Sequence, residues 1–190
     1  MKIYVDMDGV LADFRKGIYN FCLERNIELP EKKHNKVLLK GTNFFDTLDV
    51  YPSAVKLVDF LDEECGGYHI CSSPLRDDDE NSIKWKNKWL DRHMFMPKSR
   101  IYTQEKHHYA HSLKDRKVYY DTREWDDPGH YIKQVKEPNI LIDDRLDNCA
   151  NWVMNGGIAI RYVAERDDDI NYVINLVRHY KQQKHLPEFV

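Results

Sequence analysis

Short β-prone runs that each break off into a polar cluster constrain this chain more than any other feature. Ile3-Tyr4-Val5 ends in Asp6-Met7-Asp8-Gly9, Tyr68 to Cys71 ends in Ser72-Ser73-Pro74, and Asn139-Ile140-Leu141-Ile142 ends in Asp143-Asp144. Arg100-Ile101-Tyr102, Val118-Tyr119-Tyr120 and Ile158-Ala159-Ile160 read as further strands. Between the runs lie helical stretches: about Asp13 to Arg25, a segment with Val55, Leu57, Val58 and Leu61, and one around Ile83 to Leu90 with Trp85 and Trp89 at i, i+4. A last one runs through Trp152. Apolar runs alternating with helical ones imply a parallel sheet covered on both faces. The expected fold class is α/β, a Rossmann-like parallel sheet with helices on both faces.

Punctuation refines this. Asp13 is placed to N-cap the first helix and Ser53 the second, which Gly66-Gly67 ends. The 190 residues suit one core domain with small insertions. The expected division is a core of residues 1–13 and 52–190, a small helical cap at 14–51, and an insertion at 109–138. The cap's later part, Pro30 to Tyr51, is weakly patterned and basic around Lys32 to Lys40. The insertion is polar and rich in Tyr, His and Asp, and reads as a second lid or an oligomer contact.

In an open parallel sheet ligands bind beyond the carboxyl ends of the strands, so the three polar clusters are expected to share one mouth. Mutually repelling carboxylates crowded there need protons or a cation. Oxygen ligands without His or Cys suit Mg²⁺, which shares its coordination with substrate phosphate. One of Asp6 and Asp8 can then attack phosphorus while the other moves a proton. Hydroxyls and a lysine would hold the phosphoryl oxygens. A single Asp-rich loop would be ordinary turn chemistry, and Asp13 is better read as a helix cap. The combination of three strand-end clusters is what carries the chemistry.

The remaining composition mainly excludes. The formal charge of -3 comes from mixed acids and bases, so no basic surface points to nucleic acid. The Lys32, Lys33, Lys36 and Lys40 patch reads as a solvated face. Cys22, Cys65, Cys71 and Cys149 lie far apart, which suits buried free thiols in a reducing compartment. His107, His108 and His111 lack a metal-binding frame and read as solvent-facing. No apolar run approaches ~20 residues, and a cytoplasmic protein is expected.

These residues resemble the haloacid dehalogenase-like phosphohydrolase superfamily. Its first motif is similar to Asp6-Met7-Asp8-Gly9-Val10, its second to Ser72 in HICSSP, and its fourth to Asp143-Asp144 in ILIDDR. Within it, DMDGVLADF, NFFDTLDVYPSAV, ICSSPLR, IYTQEKHH and LIDDR occur in the order and wording of the 5'(3')-deoxyribonucleotidases, scattered over residues 1 to 152. The resemblance implies a phosphomonoesterase acting on a small phosphate ester, a nucleoside monophosphate above all. It makes Asp6 the nucleophile and Asp8 the general acid and base. It places Mg²⁺ on Asp6, the Asp8 carbonyl and one of Asp143 and Asp144, with Asp144 preferred. Ser72 would bind the phosphoryl group and Lys106 would neutralise it, with Lys114 and Lys117 close enough to be alternatives. Ser73 and Arg76 would lie near the phosphate or sugar, and Phe14 and Phe45 would enclose the base, although Phe44 and Phe45 also suit a cap core. The cap is shorter than in those nucleotidases and lacks an aromatic pair in ELPEKKHNKVLLKG. Two other readings stay open: a 3'-phosphatase acting on nucleic-acid ends, and a catalytically idle binding protein of the same fold.

Overall fold

A computed structural model of the chain describes residues 1–29, 35–119, 130–166 and 169–183. Five strands form one sheet, parallel throughout: β1 (Ile3–Val5), β2 (His69–Ser72), β3 (Arg100–Tyr102), β6 (Ile140–Asp143) and β7 (Ile158–Arg161). Their spatial order is β3-β2-β1-β6-β7. The fold is α/β, as the alternation of runs requires. β1 is central, pairing Val5 with both Ile70 and Ile142. This register brings the carboxyl ends of β2 and β6 to either side of Asp6.

The two-residue period of the strands sorts the core. Ile3, Val5, Ile70, Ile140 and Ile142 face one large buried cluster, while Tyr4, Cys71 and Leu141 face a smaller one. On the large side lie α1 (Phe14–Glu24), α3 (Pro52–Glu63), α4 (Asp79–Arg92) and α6 (Ile170–Gln183), contributing among others Ile18, Leu57, Trp89 and Val177. On the other side α5 (Leu146–Met154) sets Trp152 against Tyr4, with ring centroids 5.4 Å apart. Both faces of the sheet are thus covered by helices. Trp89 is fully buried, whereas Trp85 is half-buried and donates to Asn81. α6 has no counterpart among the expected elements.

Asp13 caps α1 as expected, its Oδ1 accepting Lys16 N at 2.9 Å. Ser53 does not cap α3. The helix begins two residues earlier than that cap would set it, at Pro52, after an extended Tyr51 that contributes no side-chain cap. Proline fits there because its ring presets φ and the N–H it lacks would have been unpaired anyway. Gly66 and Gly67 follow the helix with positive φ, as a helix stop requires.

From residue 35 onward, the segment after α1 is more regular than its pattern implies. It forms α2 (Asn35–Leu39) and a 3-10 turn at Phe44–Thr47. Leu39, Phe44, Phe45, Leu48 and Tyr51 join the same buried cluster as the sheet. A Cβ on Gly17 would stand 2.2 Å from Leu48 Cδ2, so glycine lets α1 lie directly on this segment. Lys32 and Lys33 of the basic patch are outside the described residues.

Val118 and Tyr119 are not part of the parallel sheet. They end β4 (His111–Tyr119), which pairs antiparallel with β5 (His130–Pro138) in a separate two-stranded sheet; Tyr120 is outside the described residues. Asn139 roots this hairpin, accepting from Lys2 N at 2.8 Å and donating to Tyr109 O at 2.9 Å. That root lies at the amino end of β6, the edge of the sheet opposite the acids.

Candidate active site

At the end of β1 the chain turns sharply, with Met7 O accepting from the backbone of Val10, Leu11 and Ala12. Gly9 sits at φ +82°, and a Cβ there would lie 2.7 Å from Asp144 Cγ. Glycine therefore lets the β1 loop and the β6 loop touch. Asp6, Asp143 and Asp144 can each place a carboxylate oxygen within 4.8 Å of the others.

Lys106, 3 % exposed, enters this group from a 3-10 turn at Lys106–Tyr109. Its Nζ lies 2.8 Å from Asp6 Oδ2 and 2.7 Å from Asp143 Oδ2. Burial alone would pull this ammonium down, but Asp6 and Asp143 overcome it and raise its pKa. Lys114 instead stands exposed on the hairpin, 4.0 Å from Glu137, and the side chain of Lys117 is outside the described residues.

The adjacent acids Asp143 and Asp144 differ sharply. Asp143 is fully buried and saturated: it accepts from Arg145 N, from Asn148 Nδ2 and from Lys106. The Asp144 carboxyl accepts no hydrogen bond from the described residues; only its backbone oxygen is engaged, by Arg161 Nε. Burial, then Asp6 and Asp143, push its pKa up to about 7. An uncompensated carboxyl beside two other acids is the donor set a hard divalent cation would satisfy, and Asp144 is the one with free lone pairs.

The second half of the site was not legible in the sequence motifs. Lys86 on α4 is fully buried, and its Nζ donates to Asp8 Oδ2 at 2.7 Å, Ser72 Oγ at 2.9 Å and Ser73 O at 2.8 Å. It joins the acid of β1 to the hydroxyl of β2. The available signal was periodicity: Ser82, Lys86, Trp89 and Leu90 form one i, i+4, i+7, i+8 face, and all four are buried. Burial pushes the Asp8 carboxyl up against the opposing pull of Lys86, and Asp8 Oδ1 is buried without a hydrogen-bond partner. A buried oxygen left open at the mouth of a site is a place for a ligand group.

The aromatic candidates separate by exposure. Phe45 is 4 % exposed, with the Lys86 ammonium 4.8 Å from its ring centroid. Phe44 is fully buried between Phe14 and Phe21. Phe14 alone of the expected pair is half-buried, its ring centroid 5.2 Å from that of Phe44 and 6.3 Å from that of Phe45. Arg76 is exposed on the loop after β2, and Ser73 is half-buried. Each cysteine is a free thiol, and the one group of three metal-capable side chains among the described residues contains no histidine.

No protein-family model matches the chain. A search of curated proteins finds no match either. Among solved structures it is similar to a HAD-superfamily hydrolase from Ehrlichia chaffeensis, at 12 % identity and a TM-score of 0.49 over 93 % of this chain and 97 % of that one. It is also similar to a Thermotoga maritima protein assigned as a beta-phosphoglucomutase, at 13 % identity and a TM-score of 0.47 over 94 % and 99 % of the two chains. Among the described residues no helix is long and apolar enough to cross a membrane.

Proposed function

We propose that this chain is a Mg²⁺-dependent phosphomonoesterase of the haloacid dehalogenase-like type, whose substrate is a nucleoside monophosphate. The observation that carries the reading is the convergence of Asp6, Asp8, Ser72, Lys86, Lys106 and Asp144 on one mouth at the carboxyl ends of β1, β2 and β6. Two buried cations facing a cluster of acids describe a site for a charged oxyanion more readily than one for a neutral ligand.

In the reaction Asp6 attacks phosphorus through a carboxylate oxygen, and the bond to the leaving oxygen breaks. Asp8 gives that oxygen its proton. Its raised pKa favours the protonated carboxyl this step needs. Asp8, now ionised, takes a proton from water as the water attacks the aspartyl phosphate. Inorganic phosphate leaves and Asp6 is restored. Ser72 on one side and Lys106 on the other would hold the phosphoryl oxygens, while Lys86, its three N–H donors taken by Asp8, Ser72 and Ser73, would fix that side of the site and add positive charge to it. Asp6, the Asp8 carbonyl and Asp144 would hold Mg²⁺, which supplies Lewis-acid charge neutralisation at the phosphoryl group. Phe14, the half-buried member of the aromatic pair, would enclose the base.

The test is phosphate release from nucleoside monophosphates, glycerol phosphate, 3'-phosphorylated oligonucleotides and p-nitrophenyl phosphate, with and without EDTA. Nucleotides should be preferred, EDTA should abolish turnover, and Asp6→Asn should reduce it to background. Retention by Asp6→Asn of more than about a tenth of the activity, a barrier change of only ~1.4 kcal/mol, would refute the nucleophile.

A further inference from the structure

α4 carries Lys86, and the same helix grips the segment that roofs it. Asp78 Oδ2 accepts Gly41 N at 2.9 Å, Asn81 Nδ2 donates to Thr42 O at 3.0 Å, and Trp89 Nε1 donates to Leu48 O at 2.7 Å. Between these ties sits Asp46, an acid 7 % exposed in the 3-10 turn beside Phe45. Its carboxylate lies 3.1 Å from Arg92 Nη1 and 3.4 Å from Lys88 Nζ, and Arg92 Nη2 donates to its backbone oxygen. Lys88 and Arg92 stand one turn apart, so one acid is held by two cations of a single helix face. Lys86 points inward from that helix, and the neighbour of Asp46, Phe45, lays its ring over the Lys86 ammonium.

We infer that Asp46 is a positioning residue: the Lys88–Asp46–Arg92 clamp holds the Phe45 ring down on Lys86, keeping that ammonium dry and aimed at Asp8 and Ser72. An ammonium excluded from water holds Asp8 and Ser72 more firmly than a hydrated one does. The catalytic consequence rests on the phosphatase reading above, whereas the shielding of Lys86 does not.

The experiment compares wild type, Asp46→Asn and Arg92→Gln by pulsed acetic anhydride labelling with mass spectrometry, together with p-nitrophenyl phosphate kinetics. Lys106, equally buried and held by other partners, is the internal reference. Loosening the clamp should raise Lys86 acetylation by about tenfold, as a local opening would, with Lys106 unchanged. kcat should fall about tenfold with KM within about twofold, because a displaced group costs rate more than binding. Lys86 protection equal to wild type in both variants, or a parallel rise at Lys86 and Lys106, would overturn the inference; the latter means general loosening. If the wild-type protein hydrolyses no phosphate ester, the proposed function fails and the labelling ratio alone decides the clamp. Should Asp46→Asn not fold, Arg92→Gln gives the same reading from the partly exposed side of the clamp.

Discussion

Replacing Lys86 by Met tests the half of the site that rests on geometry. The substitution keeps a long unbranched side chain and removes an ammonium that is fully buried and holds three partners at 2.7–2.9 Å. Asp8 is then left with both oxygens unpartnered, since Oδ1 already lacks a hydrogen bond. Removing one member of a buried ion pair costs about 3–5 kcal/mol. The Asp8 side chain keeps 25 % of its surface open, which favours the lower end of that range. In a chain of this size about 3 kcal/mol corresponds to a Tm lower by roughly 6–12 °C. Asp8→Asn in the Lys86→Met background removes the stranded acid, so the double variant should recover at least about 1 kcal/mol over the additive sum. Urea denaturation of the four proteins measures this coupling. In parallel, turnover of Lys86→Met should fall by about 10²–10³, the usual loss on removing a preorganised group that stabilises developing charge. A single-variant loss below about 1 kcal/mol, or strict additivity in the cycle, would mean that the Lys86–Asp8 pair does not hold the site together.

Three further outcomes follow from the same geometry. Asp144, an acid raised in the folded state to about 7, makes metal-free protein lose stability as pH rises from about 4 through 7, because the folded chain binds the extra proton in that window. Asp144→Asn should therefore be more stable than wild type at pH 8 without metal, by up to about 4 kcal/mol, and should lose the Mg²⁺-induced rise in Tm; no gain in stability would contradict the unpaired carboxyl. Gly9→Ala forces a left-handed φ on alanine and drives its Cβ into Asp144, so it should cost at least about 1–2 kcal/mol in thermal unfolding and weaken the Mg²⁺ response as well. Phe14→Ala should cost roughly 1–3 kcal/mol in kcat/KM for a nucleoside monophosphate and almost nothing for glycerol phosphate. Equal losses on the two substrates would make Phe14 a packing residue.

The local pattern of this chain settles what is local in cause. A β-prone run followed by Asp6-Met7-Asp8-Gly9 or Asp143-Asp144 reads as a strand with acids at its carboxyl end, because strand, turn and side-chain types are neighbours in sequence. The Asp13 cap reads off in the same way, from one hydrogen bond three residues long. The start of α3 does not, since Pro52 and Ser53 are both competent openers and only the extended Tyr51 backbone decides between them. Nor does the polar insertion: the hairpin depends on pairing across the residues that separate β4 from β5, and its root on contacts between Asn139 and Lys2.

The site shows the same division more sharply. Periodicity can set Lys86 on the face of Trp89 and Leu90, but it becomes a site residue only because the sheet order sets β2 beside β1 and lets this one side chain reach Asp8 and Ser72 together. Asp143 and Asp144 are equivalent by composition and spacing, yet the first closes β6 and the second lies just past it, in the loop against Gly9. Asn148, Arg145 and Lys106 saturate the first and leave the second open. Sequence determined which chemistry this chain carries at its strand ends. Tertiary structure decided which groups are dry, which are paired and which remain open to a ligand, because burial and pairing belong to the space between elements.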